Sequence, residues 1–82
     1  MRVRVLFFSV LQDIAGKGAH EITLPAGEKT IADLLETLFE KWPALRAWDA
    51  SLLIAMDHHY VRRNDVLKDN SEIAVMPPVQ GG

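Results

Sequence analysis

The sequence predicts an α+β fold in which one main helix lies across one face of a mixed sheet. Three observations point there. Short apolar segments near both ends of the chain have strand length or strand periodicity. One longer stretch, residues 30–42, repeats its apolar residues at helical spacing. The resulting order is strand, strand, helix, strand, short strand, strand, and a long crossover lets the first and last strands pair in parallel.

Residues 2–8, RVRVLFF, form the first strand, with Val3, Val5 and Phe7 alternating with Arg2 and Arg4. Leu6 and Phe8 fall on the arginine face, so that face begins solvated and ends apolar. Residues 9–18 contain Gln12-Asp13-Ile14-Ala15 and then Gly16 and Gly18, a short helical turn closing into a glycine loop. Residues 19–24 form a second strand, ended by Pro25-Ala26-Gly27. In the main helix Ile31, Leu34, Leu35, Leu38 and Trp42 make one stripe. Thr30 is the N-cap, Asp33 approximates a capping box, and Pro43 marks the stop. Ala44 to Trp48 is a short turn that packs Leu45, with Trp48 beside it, on the core. Residues 52–56 form a buried strand, Asp57-His58-His59 a turn, and Tyr60-Val61 a short edge strand. Val66 and Leu67 anchor the next loop, Lys68-Asp69-Asn70-Ser71 is turn chemistry, and residues 72–76 are the last strand.

A chain of 82 residues argues for one domain. A domain of this size buries only about 60% of its unfolded surface and has little room for a deep active-site cavity. That favours a carrier or binding module over a self-contained enzyme. The net charge of -2 gives no electrostatic case for nucleic acid. No apolar run is long enough to span a bilayer, and the basic start lacks a signal-like core, so a cytoplasmic protein with no membrane partner is expected. There is no cysteine, which excludes disulfides, thiolate metal sites and cysteine nucleophiles.

The chain is expected to divide into a body, residues 1–76, and a tail, residues 77–82. Pro77 and Pro78 are stiff, extended and without backbone donors, so the last strand must stop there. Val79, Gln80, Gly81 and Gly82 continue an arm that reaches at most about 20 Å. Gly81-Gly82 has the smallest possible cross-section, and it can thread a narrow channel to put the carboxyl of Gly82 on a reactive centre. The alternative is a frayed terminus.

Alternation turns Leu6 and Phe8 away from Val3, Val5 and Phe7, and turns Ala74 and Met76 away from Ile73 and Val75. If the first and last strands are neighbours, Phe8 and Met76 form an apolar patch at the root of the tail, extended by Tyr60. Such a patch beside a reactive arm is expected to serve as a docking surface. Alternation equally allows Phe8 and Met76 to be core residues under the helix. His58-His59 reads as a pair of solvated turn residues rather than metal ligands, since neighbours on a strand point to opposite faces. Arg62-Arg63 reads as a solvated loop pair, and Trp42 and Trp48 as packing residues. No metal or permanently bound cofactor is expected.

The ending Met76-Pro77-Pro78-Val79-Gln80-Gly81-Gly82 resembles the terminal signature of the small subunit of molybdopterin synthase, a ubiquitin-like sulfur carrier. Val5-Leu6-Phe7-Phe8 with the later Gly16, the helix opening Thr30-Ile31-Ala32-Asp33-Leu34-Leu35, and Leu67-Lys68-Asp69 resemble the same family. The likeness runs in order through the whole chain. It implies a β-grasp fold. It implies that an activating enzyme related to those of ubiquitin uses ATP to adenylate Gly82. A sulfur donor, a desulfurase or rhodanese-like protein, then makes the thiocarboxylate. The large subunit takes the tail and moves sulfur to cyclic pyranopterin monophosphate, within a heterotetramer built on a dimer of large subunits. In the family the positions of Phe8 and Met76 meet the large subunit. Related carriers serve thiamine thiazole, typically without the proline pair, and protein modifiers share the glycine ending. Gln80 stands where the family usually has a small hydroxylated residue.

Overall fold

The alternation at the start of the chain becomes β1, Arg2–Phe7, in a computed structural model that describes residues 1–78. Val3, Val5 and Phe7 are buried while Arg2 and Arg4 are exposed. The strand stops one residue before Phe8. Helix α1, Val10–Ala15, buries Leu11 and Ala15 and ends at Gly16, whose φ of 90° is the left-handed conformation glycine adopts without strain. Strand β2, Ala19–Thr23, runs antiparallel to β1 with Val3 opposite Ile22.

Helix α2, Ile31–Lys41, forms where the apolar stripe predicts it and buries Ile31, Leu34, Leu35, Leu38 and Phe39. Phe39 was not in the predicted stripe. Trp42 was, and it is half-buried at the helix end. The capping box is complete: Asp33 N–H donates to Thr30 Oγ1 at 3.3 Å, and Thr30 N–H donates to Asp33 Oδ2 at 2.8 Å. The other free donors of the first turn are met by the loop over residues 63–65, with Ile31 N–H on Asp65 O and Ala32 N–H on Arg63 O.

The hydrogen bonds from Thr30 hold the Asp33 carboxyl below its usual 3.8. A carboxyl lowered on folding contributes stability that is present above its unfolded pKa and is lost as pH falls through the folded one. The chain is therefore expected to lose stability as pH drops below 3.8, and Asp33→Asn is expected to flatten that part of the curve in acid melts.

After Pro43 the chain continues as a 3₁₀ segment, Pro43–Ser51, longer than the turn expected over 44–48. Leu45 is buried there and Trp48 packs at the edge of the core. Strands β3, Leu53–Met56, and β4, His59–Tyr60, form a hairpin around Asp57 and His58, both at positive φ. This two-residue loop matches strand twist and favours asparagine, aspartate or glycine. The edge strand accordingly starts at His59, one residue earlier than expected. Asp57 Oδ1 accepts from Glu72 N–H at 2.9 Å, and Asp57 N–H donates to Glu72 O at 2.8 Å, which staples the loop to β5, Glu72–Met76.

The sheet order is β2-β1-β5-β3-β4, with β1 and β5 parallel as expected and the other pairs antiparallel. The buried sheet face and the α2 stripe join in one apolar core. Two loop readings need correction. Arg63 is not a simply solvated residue, because its guanidinium is held by the carboxylate and carbonyl of Asp49, tying the loop to the 3₁₀ segment. Leu67 anchors its loop in the core, but Val66 is exposed.

Candidate docking face and the root of the tail

Strand register decides which side chains share the face opposite α2. Phe7, Val75 and Ile54 lie in one cross-strand row, and all three belong to the core. The adjoining row must point the other way. It runs Leu6, Ala74, Ala55, Tyr60 across β1, β5, β3 and β4. The two alanines leave its centre low. Leu6, Phe8, Met76 and Tyr60 stand around them, and an open concavity of about 320 Å³ results.

All four residues predicted for docking therefore line one surface. Phe8 is 43% exposed and Tyr60 is 73% exposed, while Leu6 and Met76 are half-buried. Phe8 and Met76 are not core residues under the helix, because they sit on the opposite face of the sheet. His58 and Glu72 also line the concavity, and neither was singled out for it from sequence. Glu72 shares its face with Ala74 and Met76 by alternation along the last strand, whereas the placement of His58 depends on the hairpin register, which the Asp57-His58 loop sets. With that loop assigned as two residues, Tyr60 falls opposite Ala55 and His58 lies at the rim.

The face is graded along β1. Arg4 faces Glu21 on one side and Glu72 on the other, and Arg2 lies 3.9 Å from Glu21. That end is charged. The end at Phe8 and Met76 is apolar, and β5 stops there, so Pro77 and Pro78 leave the sheet from the apolar end. Val79, Gln80, Gly81 and Gly82 lie outside the described residues.

The histidines are not gathered into a site. His58 and His59 are exposed in and after the hairpin loop. His20 packs edge-on against Phe7 and beside Trp42, and its Nε2 lies 2.9 Å from Ala15 O. Among the described residues no three His, Asp or Glu side chains stand together as metal ligands would. No helix among them is long and apolar enough to cross a membrane.

The family model named ThiS matches residues 5–82, which spans almost all of this chain including its glycine ending. The chain belongs to the ThiS family. A relative from Chlamydomonas reinhardtii, named molybdopterin synthase sulfur carrier subunit, is 34% identical and aligned over 100% of both chains. Solved structures agree with the fold. A Pyrococcus furiosus protein assigned as molybdopterin converting factor subunit 1 superposes with a TM-score of 0.86 at 30% identity, covering 96% of this chain and 99% of that one. The small archaeal modifier protein 1 of Methanosarcina acetivorans gives 0.83 at 26% identity, over 99% and 96%. A Helicobacter pylori chain, solved as a complex of subunits 1 and 2 of molybdopterin-converting factor, gives 0.70 at 26% identity over 100% of both chains. The fold is the ubiquitin-like β-grasp, and among ThiS proteins this chain groups with the molybdopterin synthase sulfur carrier subunits.

Proposed function

We propose that this chain is the sulfur carrier subunit of molybdopterin synthase and that the sulfur rides on the carboxyl of Gly82. The observation that carries the proposal is the Gly81-Gly82 ending on a proline pair that leaves the sheet beside an exposed apolar concavity. Residues 1–76 serve as the recognition body and residues 77–82 as the arm.

The chemistry fits a chain without cysteine. A carboxylate is a poor electrophile because its charge is delocalised. In the activating enzyme its oxygen attacks the α-phosphate of ATP, and pyrophosphate leaves. The outer sulfur of the donor's persulfide then attacks the acyl carbon and displaces AMP. A second thiol of the partner enzymes attacks the donor sulfur, breaking the S–S bond to leave a thiocarboxylate on this chain and a disulfide on the partners. In the large subunit that sulfur bonds to a carbon of the pterin precursor as an oxygen leaves it. Water then cleaves the acyl–sulfur bond, so that the sulfur stays behind and the chain leaves as a carboxylate again. A dithiolene holds two sulfurs and each arm brings one, so two loaded chains act per product. The catalytic groups belong to the partners, and this chain supplies the reacting terminus. Gln80 must find room in the partner's channel where a smaller side chain is usual.

The concavity is the surface on which the large subunit docks. An aromatic side chain at the centre of an interface commonly contributes 2 kcal/mol or more. Phe8→Asp is therefore expected to weaken binding of the large subunit by about 30-fold or more. The thermal melt is expected to stay unchanged, because Phe8 is outside the core. Unchanged affinity in a calorimetric titration would remove the docking role.

The likeness to a small archaeal modifier protein supports a second reading, in which Gly82 forms an isopeptide bond with a target lysine. Reconstitution separates the two. The loaded chain, mixed with the large subunit and cyclic pyranopterin monophosphate, is expected to yield the dithiolene. A modifier would yield conjugates and no pterin product.

A further inference from the structure

We propose that Glu72 is a specificity residue of the docking face, and that it selects a large subunit presenting a lysine or arginine side chain about 13 Å from the root of the tail. This rests on the docking role given above. Glu72 is half-buried and lines the same concavity as Phe8, Ala74 and Met76. It opens β5 and Met76 closes it, so four strand steps separate an anionic end of the concavity from the apolar end where the tail departs.

The chain itself offers this carboxylate no counter-charge. Among the described residues the ion pairs join Arg2 to Glu21, Arg46 to Glu36 and Arg63 to Asp49. Arg4 is the cross-strand neighbour of Glu72 on β1, but it forms no ion pair with it. Arg4 lines a separate polar hollow with Arg2, Glu21 and Asn70, and it does not line the concavity. On the other side lies the hairpin loop. There Asp57 Oδ1 accepts from Glu72 N–H at 2.9 Å, which brings a second negative charge close to the first. His58 lines the concavity too, and among the described residues it forms no ion pair with Glu72 either.

While the concavity is open, water solvates the carboxylate. A partner seated on Phe8, Ala74 and Met76 covers Glu72 as well and displaces that water. Burying an unpaired carboxylate is strongly unfavourable, so the covering surface must supply a cation in its place. An apolar surface alone would fit the Phe8 end in more than one direction. The carboxylate admits one direction only, with the partner's cation on Glu72 and the tail leaving from the far end. It also rejects surfaces that are apolar or acidic at that point, which is selection by penalty.

Calorimetric titration of the full chain with the large subunit of molybdopterin synthase tests this. Glu72→Gln keeps the side-chain shape and the backbone bonds to Asp57, so its melting temperature is expected to match that of the parent. Its binding is expected to be weaker by about tenfold or more, because the partner's cation loses its counter-charge. Glu72→Lys is expected to bind more weakly still, and Arg4→Gln to bind like the parent. Parental or tighter binding by Glu72→Gln overturns the proposal. So does equal weakening in Arg4→Gln, which would make Arg4 the counter-charge in the complex. Phe8→Ala is measured alongside. If it binds weakly while Glu72→Gln binds like the parent, the docking face stands and the role of Glu72 falls. If both bind like the parent, the docking role falls and the role of Glu72 with it.

Discussion

Deleting Gly82 is expected to abolish sulfur loading and dithiolene formation while leaving the melting temperature of the body unchanged. The two parts of this result come from different places in the chain. Among the described residues the last fully buried one is Val75, and β5 ends at Met76, so the contacts that hold the described body together do not involve Gly82. The chemistry is different. The deletion leaves Gly81 with a carboxyl of the same intrinsic reactivity, but it shortens the reach of the chain by up to about 3.5 Å. Misplacement by about 1 Å at a reacting centre can cost about 100-fold. Loading assays with activating enzyme, ATP and sulfur donor, followed by product formation on the large subunit, measure the loss. Product equal to that of the intact chain would mean that the reacting group is not the carboxyl of Gly82.

Phe39→Ala is expected to have the largest effect on stability. Phe39 is 1% exposed within the core, and the Arg46 guanidinium covers its ring at 5.2 Å from the centroid. Truncating a buried phenylalanine costs about 3–5 kcal/mol through lost burial and the cavity left behind. A domain of this length has a total stability of about 4–12 kcal/mol. The variant is therefore expected to be barely folded at 37 °C and to unfold at much lower urea concentration. A loss below about 1 kcal/mol would show that the core closes over the vacated space. Phe8 offers the internal contrast, since removing its exposed ring should leave the urea midpoint almost unmoved and register in partner affinity.

These two phenylalanines also show how far the sequence could be read. Strand alternation placed Val3, Val5 and Phe7 on one side of β1 and Leu6 with Phe8 on the other, and the sheet keeps that division. It could not say which side the helix would cover at the end of the strand. That depends on the parallel pairing of β1 with β5, a contact between residues almost seventy positions apart in sequence. Phe39 was missed for another reason. A helix packed across a broad sheet buries a wider stripe than a narrow two-position seam, and Phe39 widens the stripe beside Leu35 and Leu38.

The hairpin and its neighbours were legible only in part. Turn residues marked Asp57-His58-His59, but loop length was not fixed by composition. The loop is two residues long, stapled to β5 by the bonds between Asp57 and Glu72, and it brings His58 to the concavity that Glu72 lines from β5. Asn70, at φ 61°, supplies without glycine the left-handed turn that leads into β5. Arg63 could not be distinguished from Arg62 by sequence, because its partner Asp49 lies in a separate segment. The tail was the reverse case: its residues pointed to the family with no fold needed.

The central claim is that Gly82 carries sulfur, and one measurement addresses it directly. The chain is incubated with its activating enzyme, ATP and a sulfur source, and then fragmented in a mass spectrometer. The expected result is a mass increase equal to replacing one oxygen by sulfur, on fragments that contain Gly82 and exclude Met76. Such fragments cannot gain mass by methionine oxidation. Unshifted C-terminal fragments, or a shift confined to fragments that include Met76, would contradict the account.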